Sequence, residues 1–586
     1  MVRHIRVRLT DHVAENGEEN MNPKNRILSL LRKRVVILDG AMGTELHKRG
    51  LPAGVCPEAW CLAHPAAVAE IHAAYREAGA DIVYTSTFGA NRLKMGRFGL
   101  TNVRETNRLL AEIAVRAAGR GLVAGDIGPT GHFVEPFGDV PFEDSVALFR
   151  EQAQGLLEGG VDLFVIETMM DIQEARAALI AVREISDLFC MVTMTYEKHG
   201  RTLNGTDPVS ALVTLQSLGA DAVGCNCSAG PEGMLGLIAA MKPHAIVPLA
   251  AKPNAGLPKL VGDATVFDLD AAGFAGFGGP LAAAGANLMG GCCGTTPAHI
   301  RALRDTLTAV KPVAPLHRAL AAASSARNTV ILQEGRPLTV VGGRLNAAEN
   351  EAVRQGLLSG DPGPARQTAR AQEKEGAQIL LLKVGAAGVD ETEATRQILE
   401  QLAPTTRSSF LLAAERVETV GQMLRFYPGR LLVHVAGDEA STALLPVIAK
   451  YGAIPVLRIA TMDGMPVNRA GVRKAVADAR THGFAKEEIV IDCTPPARNP
   501  EALRAALGMI AWCAQSLGCR TLLDLTDVGK DLPERPWLQA YLLAVAQASG
   551  LTLAVVDPGA AELMQIRAAG DRIRGKNPGA FYAGKA

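Results

Sequence analysis

One rhythm recurs along this chain and restricts its fold: a stretch with helical spacing ends at a glycine, and a short apolar run follows within a few residues. Gly79 precedes Ile82-Val-Tyr-Thr, Gly160 precedes Leu163-Phe-Val-Ile, Gly219 precedes Ala222-Val-Gly-Cys and Gly285 precedes Asn287-Leu-Met; Gly376, Gly452 and Gly518 repeat the junction later. Glycine closes helices because it enters the left-handed region without a Cβ penalty. Runs that are apolar throughout suit parallel strands covered on both faces. In the first half the runs are 35–38, 82–85, 122–126, 163–167, 189–194, 222–227, 247–252 and 287–290. In the second they are 339–342, 379–383, 410–413, 431–435, 454–459, 489–492, 520–524 and 553–556. Eight βα units in succession close a barrel, so the expected fold is α/β, two (β/α)8 barrels of the TIM type in tandem; an open doubly wound sheet is the competing architecture.

The 586 residues fit two domains of about 250 residues each. Proline and small residues after Lys311 mark the boundary between them. The organisation read from this is a polar N-terminal extension over 1–20, a barrel over 21–311, a linker over 312–328 and a second barrel over 329–586. Residues 1–20 are charged throughout and are not a signal peptide, and Met21 is an alternative start. Lysine plus arginine equals aspartate plus glutamate, 60 against 60, which gives no electrostatic reason to expect nucleic acid or an anionic membrane as partner. A small neutral or zwitterionic substrate fits better. Ten cysteines in a chain of this length read as reduced thiols plus a site, which places the protein in the cytoplasm.

The thiols concentrate at two strand ends. Cys292-Cys293 lie in Gly-Gly-Cys-Cys-Gly after the eighth run, and Cys225 and Cys227 lie in Gly-Cys-Asn-Cys-Ser at the end of the sixth. Free cysteine is often a small buried hydrophobe. Here Gly290, Gly291 and Gly294 free the backbone to turn two successive thiols toward one point. Barrel active sites lie at the C-terminal ends of strands, and both cysteine groups reach that rim. Three thiolates with an open fourth position form a catalytic zinc set. Spacing does not choose between Cys225 and Cys227 as the third ligand.

Two carboxylates reach the same rim. Asp39 ends the first run, and Gly40 and Ala41 follow it with backbone N–H groups open to an anion, so the segment suits an amino-acid head group; Asp39 as a helix N-cap is the structural alternative. Glu167 follows four apolar residues, where a carboxylate is costly unless partnered. Together they form a clamp for an ammonium group, with structural salt bridging as the alternative.

These segments resemble the homocysteine S-methyltransferase family, and in particular the first two domains of cobalamin-dependent methionine synthases. The resemblance rests on Leu38-Asp-Gly-Ala-Met-Gly-Thr-Glu, Thr87-Phe-Gly-Ala-Asn-Arg, Gly125-Asp-Ile-Gly-Pro-Thr-Gly, Glu167-Thr-Met, Asn226-Cys-Ser-Ala-Gly-Pro, Lys252-Pro-Asn-Ala-Gly-Leu-Pro and Gly290-Gly-Cys-Cys-Gly-Thr-Thr-Pro. It implies that Cys227, Cys292 and Cys293 bind Zn2+, that homocysteine sulfur takes the fourth position, and that Asp39 and Glu167 receive its ammonium. A free thiol of pKa near 8.5 is about 3% ionised at pH 7, so complete ionisation is worth roughly 30-fold, about 2 kcal/mol.

The second half resembles the pterin-binding barrel that carries methyltetrahydrofolate in methionine synthases, through Phe426-Tyr-Pro-Gly-Arg, Tyr451-Gly-Ala, Ile491-Asp and Leu532-Pro-Glu-Arg-Pro. The resemblance assigns Asn346, Asp492 and Asp527 to the ring. Its strand ends depart from the family at Leu381-Leu-Lys, Ala413 and Gly342-Gly-Arg-Leu-Asn, which lacks the family's glutamate. Each unpaired ring group costs about 1–3 kcal/mol, which argues against binding methyltetrahydrofolate in the family's way. The expected function is therefore methylation of homocysteine to methionine, with methylcobalamin on a separate corrinoid protein as donor. The alternatives are a methyltetrahydrofolate-dependent core using a separate corrinoid protein, a sulfonium or betaine-like donor, and a second barrel that is a catalytically silent scaffold.

Overall fold

The structure, a computed structural model, describes residues 21–227, 230–261, 264–333, 335–458, 468–495, 500–530 and 532–575. The chain divides into two compact units that meet between His317 and Arg318.

In the first unit the strands are β1 (Val36–Ile37), β2 (Ile82–Tyr84), β3 (Leu122–Ile127), β4 (Leu163–Met169), β5 (Phe189–Met194), β6 (Ala222–Cys227), β7 (Leu249–Pro253), β8 (Pro258–Val261), β9 (Ala264–Phe267) and β10 (Ala286–Met289). Eight of them run parallel in the order β1-β10-β7-β6-β5-β4-β3-β2, and β8 and β9 form a separate antiparallel hairpin. A single bridge from Leu38 to Ile82 and the Asp81 N–H, which donates to the Ile37 carbonyl at 2.7 Å, bring the two ends of the sheet together into a barrel. Strand side chains alternate between faces. Leu38, Tyr84, Ala124, Val165, Met191 and Ala250 point inward with Ile27 and Leu31 from the helix Pro23–Lys33, which closes the floor at the N-terminal ends of the strands. That helix starts where Asn22 accepts the Asn25 N–H at 2.8 Å and a proline occupies the first turn.

The second unit contains β11 (Ala322–Ser324), β12 (Thr329–Ile331), β13 (Thr339–Gly342), β14 (Ile379–Leu382), β15 (Ser409–Leu412), β16 (Leu432–Ala436), β17 (Ile454–Arg458), β18 (Val490–Asp492), β19 (Arg520–Asp524) and β20 (Leu553–Val556). The strands β13 to β20 close a barrel in sequence order. The expected linker 312–328 is not featureless: its β11 pairs antiparallel with β12, and Ala321, Ala323, Val330 and Leu332 enter the interior of the second barrel as its floor. Arg430 fixes this hairpin. Its Nη1 donates to the carbonyls of Leu320 at 2.8 Å and Ala322 at 3.2 Å, its Nε to Gly452 at 2.7 Å, and its Nη2 pairs with Glu488 at 2.8 Å. The tandem-barrel expectation holds, and the open doubly wound sheet does not. Among the described residues no helix is long and apolar enough to cross a membrane.

Candidate functional site

The inward alternation of the first barrel, carried two residues further along each strand, changes from apolar to polar. Above Ala124, Val165, Met191, Gly224 and Ala250 stand Asp126, Glu167, Thr193, Asn226 and Lys252, one from each of β3 to β7, all buried. Burying such groups is costly unless they satisfy one another. Asn226 does much of this: its Oδ1 accepts from the Thr193 hydroxyl at 2.9 Å and the Thr168 N–H at 2.8 Å, and its Nδ2 donates to Thr168 Oγ1 at 2.7 Å and Glu167 Oε2 at 3.4 Å.

Two residues at this level hold left-handed backbone without being glycine: Thr168, φ 62°, and Cys227, φ 59°. Each costs of order 1–3 kcal/mol, and such strain persists where the surroundings enforce it. At Thr168 the Asn226 amide does so. At Cys227 the twist ends β6 with the thiol at the rim. Cys225, two residues earlier, is fully buried, and burial pushes its pKa up to about 12. The Sγ atoms of Cys227, Cys292 and Cys293 lie within 4.8 Å of one another. This separates the two candidates that spacing left open.

The Cys292-Cys293 loop is seated by its backbone. The Cys292 N–H donates to the Pro253 carbonyl at 2.7 Å, the Gly291 N–H to the Asp39 carbonyl at 3.0 Å, and the Cys293 carbonyl accepts from Ala255 at 2.9 Å. Of the flanking glycines only Gly294 needs left-handed backbone, φ 80°. Gly290 serves close approach instead, since a Cβ there would fall 2.6 Å from the Asp39 carbonyl oxygen. The three thiols perturb one another: the hydrogen bond with Cys227 pushes Cys292 up to about 11. A tetrahedral zinc with sulfur at about 2.3 Å places its thiolates about 3.8 Å apart, a spacing these sulfurs can reach within the 4.8 Å they already span. Soft sulfur donors in this number fit zinc.

Asp39 is buried beside them and is not a helix N-cap; the helix Gly43–Lys48 is preceded by Met42. Asp39 Oδ2 accepts the Tyr84 N–H at 2.7 Å, and Oδ1 accepts from Lys252 Nζ at 3.0 Å. Lys252 Nζ also lies 3.9 Å from Glu167 Oε2 and 3.5 Å from the centre of the Tyr84 ring. The expected ammonium clamp of Asp39 and Glu167 is thus already engaged by an ammonium of the chain itself. Burial alone would drive Lys252 toward its neutral form, but Asp39 and then Glu167 hold it charged, with its pKa well above the ordinary lysine value. Burial raises Asp39 and pushes Glu167 up to about 7, with Lys252 opposing in both. The Ala41 N–H, expected to be open to an anion, donates to Thr295 Oγ1 at 3.1 Å, and Gly40 packs where a Cβ would meet the Tyr75 ring at 2.7 Å.

At the mouth of the second barrel the same alternation, continued from Leu381, Leu411, Leu432, Val456, Val490 and Leu522, points Lys383, Ala413, His434, Arg458, Asp492 and Asp524 inward. Asp492 Oδ2 bonds His434 Nε2 at 2.9 Å and lies 3.9 Å from Arg458 Nε. Burial pushes the Asp492 carboxyl up, but His434 and Arg458 more than offset it and hold it below the ordinary range. Asn346 and Asp527, assigned to a ligand with Asp492, each make local contacts. The Asn346 side chain accepts from the Ala348 N–H at 3.2 Å, and Asp527 sits in the turn after β19, 3.9 Å from Lys530. Asp524 holds the inward position on β19.

Residues 36–307 match the sequence model of the family described as homocysteine S-methyltransferase. The chain is 29% identical to methionine synthase of Mycobacterium tuberculosis over 464 residues, which is 73% of this chain and 38% of the relative. It is 28% identical to methionine synthase of Mycobacterium leprae over 511 residues, 80% of this chain and 42% of the relative. The chain therefore spans less than half the length of these curated relatives. Among solved structures it is similar to the Escherichia coli homocysteine methyltransferase MmuM, at 26% identity over 49% of this chain and 99% of that one, TM-score 0.42, in the oxidised form. The metallated form gives 25% identity, 48% and 99% coverage, and TM-score 0.42.

Proposed function

We propose that this chain is a zinc-dependent S-methyltransferase that converts homocysteine to methionine, with the methyl group delivered from a corrinoid on a separate protein. The observation that carries this reading is the convergence of Cys227, Cys292 and Cys293 at the open rim of a homocysteine S-methyltransferase barrel. Zinc held by these thiolates would keep an incoming thiol ionised at neutral pH. The chain supplies the rest. The buried layer from Asp126 to Lys252 forms a polar base under the sulfurs, and the Asn226 amide fixes Thr168 in its strained conformation. Asp39, Gly40, Ala41 and Glu167 line the acceptor's side of the pocket. In the transfer the acceptor sulfur forms the new S–C bond, the donor–carbon bond breaks with its electron pair left on the donor, and the thiol proton goes to solvent. Alignment contributes more than ionisation, since effective molarities for well-oriented groups reach about 10⁵ M.

The corrinoid donor is favoured by the mouth of the second barrel, where Lys383 and Ala413 hold inward positions and Asp492 is committed to His434. A methyltetrahydrofolate-dependent core is the second reading, favoured by the extent of the similarity to methionine synthases, which runs over both barrels. The test is methyl transfer to homocysteine by the zinc-loaded protein with methylcobalamin, compared with methyltetrahydrofolate plus cobalamin. Methionine from methylcobalamin alone supports the first reading. Methionine from both restores folate use, and no methionine from either overturns the reading.

A further inference from the structure

Lys252 is the one member of the buried polar layer whose charge matches that of an amino-acid substrate. It ends the apolar run Leu249-Ala-Ala-Lys and lies in register with Asn226 on β6, two residues beyond the inward-facing Ala250. Its ammonium has carboxylates at 3.0 Å and 3.9 Å and an aromatic face at 3.5 Å, and its side chain is 5% exposed. Two carboxylates and a ring face are the surroundings that recognise an α-ammonium. The remaining Asp39 oxygen already takes the Tyr84 N–H. A substrate ammonium entering this seat would meet a like charge at a position almost closed to solvent, where charges interact strongly.

We propose that Lys252 is a built-in counter-ion that fills the seat for an acceptor's ammonium, so that the pocket beside Cys227, Cys292 and Cys293 accepts thiol carboxylic acids lacking an α-amine as well as homocysteine. The proposal rests on the acceptor reading above and narrows what that acceptor must carry. The third carboxylate of the layer does not restore a demand for a second cation. Asp126 Oδ1 is buried without a hydrogen-bond partner, and burial together with the charge of Glu167 pushes its pKa well above the ordinary carboxylate value, which weakens its call for a cation.

A site built to hydrogen-bond a substrate N–H rejects the analogue lacking it by about 10⁴-fold, because its own polar groups are left unpaired. A seat filled from within removes that penalty. The zinc-loaded protein is titrated calorimetrically with homocysteine and with 4-mercaptobutanoate, the same thiol and carboxylate without the amine. The expected dissociation constants agree within about tenfold, against the 10⁴-fold of an amine-dependent site. In Lys252→Met, checked for unchanged zinc content, the emptied seat favours homocysteine and the gap widens to about 100-fold or more. Wild-type rejection of 4-mercaptobutanoate by about 10³-fold or more overturns the proposal while leaving homocysteine as the acceptor. An unchanged gap in a zinc-replete Lys252→Met also overturns it. Binding of neither thiol overturns the acceptor reading, and this proposal with it.

Discussion

The two barrels share a scaffold and differ at the mouth. In the first, five successive strands raise Asp126, Glu167, Thr193, Asn226 and Lys252 into one buried layer, the last four of them joined by hydrogen bonds and ion pairing, at the rim where three thiols gather. In the second, Lys383, His434, Arg458, Asp492 and Asp524 occupy the equivalent level, and the bonding there centres on Asp492. Neither difference reaches the apolar layers below. The comparison shows that a barrel's floor and wall are set by packing, whereas its chemistry is decided by the last inward residue of each strand.

The largest expected effect separates the two mouths completely. Cys292→Ala should lose zinc and methyl transfer together, while hydrogen exchange in the second barrel stays as in the wild type; full zinc content would sink the ligand assignment. Cys225→Ala is the control. Its thiol lies outside the cluster, so zinc is retained and the cost is that of a small buried truncation, about 1 kcal/mol.

Next comes a change confined to the second barrel. Glu488 is buried with Arg430, with side-chain exposures of 1% and 3%, so Glu488→Gln leaves an uncompensated guanidinium and should destabilise that barrel by about 3 kcal/mol. Urea unfolding would show this, with zinc content unaltered. A loss of zinc in this variant would mean that the barrels are not energetically separate.

The smallest effect is in pH dependence, and its sign differs between barrels. In the first, burial pushes Asp171 up to about 6 and Glu174 up to about 7. Folded forms of these acids hold protons that the unfolded chain releases near pH 4, so their contribution is present below that value and is lost as pH rises toward 7. In the second, Asp492 is held below the ordinary range, chiefly by His434 once burial is overcome; its contribution is present above the ordinary value and is lost as pH falls through the depressed one. Hydrogen exchange of peptides from each barrel at pH 5, 6 and 7, and again on acidification below pH 4, reads both trends. Parallel trends would erase this part of the contrast.

Much of this was legible in sequence because parallel strands are apolar on both faces and glycine marks the helix ends before them. Each of the sixteen expected runs overlaps one of the barrel strands. The two hairpins were less visible. Alanine-rich β11 reads as linker because alanine is a poor strand former, and β8 and β9 are signalled only by the Gly262-Asp263 dipeptide between them. At the site, the two cysteine groups and the two carboxylates could be read from strand ends, while Cys227 over Cys225 came from the family resemblance. Lys252 carries the same signal as Glu167, an ionisable residue closing an apolar run, but its meaning depends on which partner it reaches across the barrel. In the second barrel parity from Leu522 points Asp524 inward, a direction that a motif alignment does not count.

The helix Pro23–Lys33, seated by Ile27 and Leu31 in the interior of the first barrel, makes that barrel a cup and not a tube. On the proposed reading, thiol and methyl donor must then use one doorway. A small acceptor can reach the bottom of the pocket only while the rim is clear, and a donor as bulky as a protein-borne corrinoid covers the rim when it docks. Binding is ordered by shape, acceptor first, and methionine leaves only after the donor has withdrawn.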